Sequence, residues 1–160
     1  MNPLRKQITE EAISWSNTPY HDGAGIKHVG VDCAYYPLRV YQSVGRIPLD
    51  FVVPQYSPQQ WLNSFSKAEK IHLKIEDKTF LNIVQRFARR EITEEEVLPG
   101  DFVLYKVAAS WTHGGIIIDW PHYMLHPIKG RGVIGSHGVK EGFLNKRPRR
   151  FFSVFDKEED

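Results

Sequence analysis

The period of the apolar residues changes once along this chain, at Leu98-Pro99-Gly100-Asp101, and that change limits the possible folds more than any other feature. Upstream the spacing is helical. Leu4, Ile8, Ala12 and Trp15 recur at steps of four, four and three, and Phe80, Ile83, Val84, Phe87 and Ala88 fall at i, i+3, i+4, i+7 and i+8. Downstream come short β-type runs at 102–105, 115–119, 123–128, 132–135 and 151–155, separated by turn residues. Helices first and a block of strands later predict an α+β domain in which helices pack on an antiparallel sheet. A length of 160 residues suits one such domain over 1–160.

The first helix is expected to end at Asn17-Thr18-Pro19, because a residue before proline is pushed out of the helical region. Asp32 sits where an N-cap belongs, with Leu38, Tyr41 and Val44 following at spacing three before Gly45. Counting Cys33 as the first helical residue, Pro37 is the fifth, one past the four free N–H groups, so the first turn should be distorted. The stretch 48–96 reads as an insertion that starts with a proline-rich excursion. Within it Ser57-Pro58 opens a short helix carrying Trp61, Leu62 and Phe65. Lys157-Glu158-Glu159-Asp160 reads as a frayed, solvated tail.

Composition narrows the function. A net charge of +2 gives no footprint for nucleic acid, and a single Cys allows neither an internal disulfide nor a CxxC metal site. No apolar run approaches the ~20 residues of a membrane helix, and residues 1–7 lack the apolar core of a signal peptide. The expectation is a soluble protein made in a cytoplasm, with no membrane insertion and no cofactor.

Chemistry concentrates in two places. Cys33 follows a Gly-containing loop and opens a helix, where the dipole favours thiolate over thiol. His113 stands at the mouth of a β-run and is followed by Gly114 and Gly115, which leave its imidazole open to a neighbour. A turn around Asp119-Trp120-Pro121-His122 then brings a second histidine into reach. If Ile118 pairs with Pro121, His126 lies opposite His113; if Ile118 pairs with Tyr123, His126 faces Gly115 and is diagonal to His113. Seven histidines also raise the question of a metal. His122 and His126 are four apart, but in a strand that spacing separates their Cα atoms by ~13 Å, too far for one zinc ion, and Pro121 and Pro127 argue against a helix. No metal site is expected.

Four motifs, Trp15-x-x-Thr18-Pro19-Tyr20, Gly30-x-Asp32-Cys33, Leu98-x-Gly100-Asp101 and His113-Gly114-Gly115-Ile116, stand in the order seen in NlpC/P60 cysteine peptidases. The chain resembles that family from residue 15 to about 128, and residues 18–33 look most like its phage-tail and prophage branch. The resemblance implies a papain-like fold and a triad of Cys33 as nucleophile, His113 as general base and His126 as orienting residue. It also makes Tyr20 a candidate oxyanion donor beside the Cys33 backbone N–H, and Tyr20 and Asp32 candidate contacts for the incoming peptide. Ala34 is followed by Tyr35, Tyr36 and Pro37 where many members have Gly, a departure that narrows the cleft or reshapes the helix start.

The implied substrate is a peptidoglycan stem peptide or muropeptide, cut between D-glutamate and the diamino acid. Two alternatives share these residues: a thioester-forming acyltransferase or amidase on another substrate, and a phage-tail component with a vestigial site. With no export signal in residues 1–7, the protein is expected in the cytoplasm or in a virion, with phage-tail proteins as partners.

Overall fold

The structure is a computed structural model that describes residues 2–53 and 78–160. The helix expected at 58–65 lies outside the described residues. Helix α1, Pro3–Ser14, starts where Asn2 Oδ1 accepts the Leu4 N–H at 2.9 Å and proline occupies the first position, whose N–H needs no partner. It buries Ile8 and Ala12 as the spacing requires, and Trp15 just beyond, but also Arg5.

A two-stranded ribbon, β1 (Gly25–Ile26) and β2 (Gly30–Val31), follows, and Tyr20 bridges to Val31 beside it. Helix α2 runs regularly over Tyr35–Ser43. One turn precedes it: the Tyr36 N–H reaches the Asp32 carbonyl at 3.0 Å, and Asp32 Oδ1 accepts from Ala34 at 3.0 Å and Tyr35 at 2.8 Å. Asp32 therefore caps as expected. Pro37 has no N–H for the Cys33 carbonyl, so the ladder skips one rung and the regular helix begins after Ala34.

Helix α3, Thr79–Phe87, buries Phe80, Leu81, Ile83, Val84 and Phe87. It leads into a strand that the sequence did not announce, β3 (Arg90–Ile92). The remaining strands are β4 (Phe102–Val107), β5 (Ser110–Asp119), β6 (Tyr123–Ile128), β7 (Gly132–Ser136) and β8 (Arg149–Ser153). They form an antiparallel sheet in the order β3-β8-β4-β5-β6-β7. The alternation of the strands divides its faces. Phe102, Leu104, Ile116, Leu125 and Phe152 join the helices in the main core, while Val103, Tyr105, Ile117, Met124 and Phe151 form a second cluster with Leu144.

Three local devices fix the layers to one another. In the Leu98–Asp101 turn, Gly100 takes φ +92°, its carbonyl accepts from Tyr41 Oη at 3.0 Å and its N–H donates to Ile117 O at 2.8 Å. One turn thus ties α2 to β5. Asn17 N–H donates to Val133 O and Val133 N–H to Thr18 O, both at 2.9 Å, which stitches the loop ahead of Cys33 to β7. Gly132 closes that seam at φ +78°; a Cβ there would lie 2.4 Å from Thr18 O.

The tail corrects the expectation of fraying. Lys157–Glu159 forms a 3-10 turn, Glu159 pairs with Arg46 at 2.7 Å, and the Asp160 carboxylate bridges Arg5 and Arg90. A charged tail is solvated when it has nothing to meet; here three arginines face it.

Candidate active site

The interrupted first turn of α2 presents Cys33, half-buried, toward the sheet. Its Sγ lies 3.8 Å from His113 Nδ1 and 3.6 Å from the Pro127 carbonyl. His113 is the fourth residue of β5, inside the strand rather than at its mouth, opposite Tyr105 of β4. Its Nε2 is 2.7 Å from His126 Nδ1 on the neighbouring strand β6.

Of the two registers considered, the longer turn is the one found. Ile116 pairs with Leu125 and Ile117 with Met124, so that Gly115 faces His126; a bulge at Ile118 then shifts the last pair to Asp119 and Tyr123. The glycines do more than clear space for an imidazole. A Cβ on Gly114 would lie 2.2 Å from Phe102 Cζ, and one on Gly115 would lie 2.9 Å from Leu125 O and 3.3 Å from His126 Cβ. They let the main-chain layers close up enough for the two rings to meet.

Electrostatics corrects one expectation. Burial pushes the Cys33 thiol up to about 12, and the Asp32 carboxylate next to it pushes the same way, against a Gly114 N–H that favours thiolate. At this helix start Asp32 takes up the Ala34 and Tyr35 N–H groups. Burial also lowers His113 to about 4 and, with His113 and Arg131 nearby, His126 to about 3. Burial thus favours the uncharged form of the thiol and of both imidazoles.

Tyr20 is half-buried and close enough to feel charge on Cys33 and Asp22; burial first, then these anionic neighbours, raise it well above the ordinary tyrosine range. Both oxygens of Asp32 are engaged by backbone: Oδ1 caps α2, and Oδ2 accepts the Gly23 N–H at 2.8 Å. Burial outweighs these bonds and raises its pKa. His122 and His137 stand apart from the site, ring against ring at 5.8 Å. Among the described residues, no three His, Cys, Asp or Glu side chains are grouped to hold a metal ion.

The NlpC/P60 family model matches residues 17–151, a span that runs from the loop before Cys33 through every strand of the site. The chain belongs to the NlpC/P60 family. Solved NlpC/P60 structures superimpose on it at low identity. The NlpC/P60 domain of the peptidoglycan hydrolase SagA aligns with TM-score 0.55 and 18% identity, over 91% of this chain and 96% of that one. The P60 domain of an antigen from M. avium subspecies paratuberculosis gives 0.56 and 16%, over 96% of each chain. A lipoprotein-like family protein from Staphylococcus aureus gives 0.60 and 16%, over 98% of this chain and 43% of its own. No curated protein matches by sequence. The architecture is the papain-like NlpC/P60 fold, and the family consists generally of peptidoglycan-hydrolysing cysteine peptidases.

Two further residues complete this NlpC/P60 site. Ser136, buried at the end of β7, holds its Oγ 2.7 Å from His126 Nε2. Phe143, from the loop after β7, packs edge-on to His113 at 5.3 Å and parallel to His126 at 6.2 Å. Sequence offered a partial signal for Ser136. The β6–β7 hairpin pairs Met124 with Ser136 and His126 with Ile134, so Ser136 shares a face with His126 once that register is known. Nothing in the sequence around Phe143 marked it.

Proposed function

We propose that this protein hydrolyses an amide bond of peptidoglycan stem peptides, between D-glutamate and the diamino acid, with Cys33 as nucleophile, His113 as general base and His126 as its orienting partner. The observation that carries the reading is the unbroken run from Cys33 Sγ through His113 to His126, at 3.8 Å and 2.7 Å, in a member of this family.

His113 Nδ1 takes the thiol proton, and the resulting thiolate attacks the carbonyl. The tetrahedral oxyanion is received by the Cys33 N–H and by the Tyr20 hydroxyl. His113 then protonates the leaving amine, and water, deprotonated by the same ring, releases the acid from the thioester. His126 accepts the His113 Nε2–H and steadies the imidazolium. Asp32, with both oxygens on backbone N–H groups, serves by holding the Cys33 turn. In the same reading, the likeness of residues 18–33 to phage-tail members assigns delivery to the wall by a phage particle.

Mass spectrometry of purified muropeptides incubated with the protein tests the reaction. Cleavage at the D-glutamyl bond that disappears with Cys33→Ala supports it; intact muropeptides, or cleavage that survives Cys33→Ala, reject it. Proteomics of induced phage particles tests delivery, and particles without the chain end that assignment.

A further inference from the structure

We propose that Ser136 is a positioning residue that makes available the direction of hydrogen bonding through the two histidines in which His113 presents an unprotonated Nδ1 to the thiol. The proposal rests on the hydrolase reading only for its catalytic consequence; the direction itself is a property of the folded protein.

Between His113 Nε2 and His126 Nδ1, 2.7 Å apart, there is room for one proton. Two arrangements satisfy that contact. In the first, His113 carries Nε2–H and donates to His126 Nδ1; His126 then carries its own proton on Nε2, 2.7 Å from Ser136 Oγ. His113 Nδ1 is left with a lone pair toward Cys33, and the ring can take the thiol proton. In the second, every bond is reversed. His126 donates from Nδ1, His113 holds its proton on Nδ1, and the thiol faces an N–H that cannot accept from it.

The first arrangement depends on Ser136 because His126 is fully buried, at 0% exposure, and no bulk water reaches Nε2. The competent direction requires an acceptor at that atom, since a buried N–H without a partner is costlier than a buried lone pair without one. The Ser136 hydroxyl can be that acceptor; it can equally donate to a bare Nε2, so its presence permits the competent direction and its loss removes it. Without it, the cheaper state moves the His126 proton to Nδ1, and this turns His113 the wrong way round. A serine at the far end of a hairpin thereby acts on the sulfur through two rings.

The test combines Ser136→Ala, which removes the acceptor, with Ser136→Thr, which keeps a hydroxyl. Nitrogen-15 NMR of the imidazoles in the full chain at neutral pH should report Nε2–H on both His113 and His126 in the parent protein. His126 should shift to Nδ1–H in Ser136→Ala and return to Nε2–H in Ser136→Thr. With muropeptide substrate, Ser136→Ala should lower kcat by about 10–100-fold, with KM little changed, and Ser136→Thr should restore most of it. Nδ1–H on His126 in the parent protein, an unchanged tautomer in Ser136→Ala, or a Ser136→Thr variant as slow as Ser136→Ala overturns the proposal. If the parent protein cleaves no muropeptide, the hydrolase reading fails alone, and the NMR result still decides whether Ser136 makes that direction available.

Discussion

Arg5 and His126 are equally hidden from solvent, at 1% and 0% exposure, yet one is surrounded by charge and the other by neutral dipoles. The Arg5 guanidinium donates to Asp101 Oδ1 and Pro99 O, each at 3.0 Å, pairs with Asp160 and lies 4.2 Å over the Phe155 ring. Its charge is permanent, so the surroundings supply a matching carboxylate and a carbonyl. Around His126 the neighbours are His113, Ser136 and Phe143, and burial removes charge from the rings instead of pairing it. The first arrangement fixes layers; the second leaves protons free to move between atoms. A fold can bury polarity by either route, but only the neutral one keeps a base available.

The sharpest way to break the comparison is to remove the atoms that move the proton. Cys33→Ala should abolish muropeptide turnover, and His113→Ala should cost nearly as much, with circular dichroism unchanged in both. His126→Ala should lose ~10²–10⁴-fold in kcat/KM, whereas His126→Asn or His126→Gln, which keep an acceptor, should retain measurable activity. If His126→Ala had no effect on kcat/KM, the orienting role of His126 would be wrong.

The charged cluster should fail in stability rather than rate. Arg5→Ala leaves Asp101 buried without its partner and should cost about 3–5 kcal/mol in chemical denaturation, with the folded fraction keeping its kcat/KM. A loss of activity in excess of the loss of folded protein would show that the two clusters are not independent.

Acid gives the gentlest test. In the unfolded chain His113 and His126 take up protons near the ordinary value of 6.5, but in the fold only at about 4 and about 3. Between those values the unfolded state binds more protons, so stability should fall as pH drops below about 6.5 and go on falling toward pH 3–4. Replacing His126 by Asn should flatten that dependence. Melting temperatures across the range provide the measurement, and equal slopes in the two proteins would contradict neutral burial of His126.

How much of this was legible beforehand follows from which interactions are local. The apolar period of α1 located Ile8, Ala12 and Trp15, and the missing N–H of Pro37 located the break in the turn that carries Cys33. The meeting of His113 and His126 was legible as well, because a turn of given length fixes which residues share a face. Ser136 needed a second hairpin register on top of the first. Arg5, Asp160 and Phe143 were illegible for another reason: their partners lie far along the chain, and a charged or aromatic residue carries no local mark of what it will meet. The burial that opposes the helix start at Cys33 was illegible too, because it comes from elements far along the chain.

The seam between residues 17–18 and Val133 is made by main-chain groups, whose hydrogen bonds are indifferent to side-chain identity. The distance between the nucleophile's loop and the hairpin that bears His126 is therefore set by main chain meeting main chain. Gly132 is the exception, since any side chain there would collide with the Thr18 carbonyl. Along this seam the spacing of the reacting groups is carried by backbone shape, and Gly132 is the position where that shape admits no side chain.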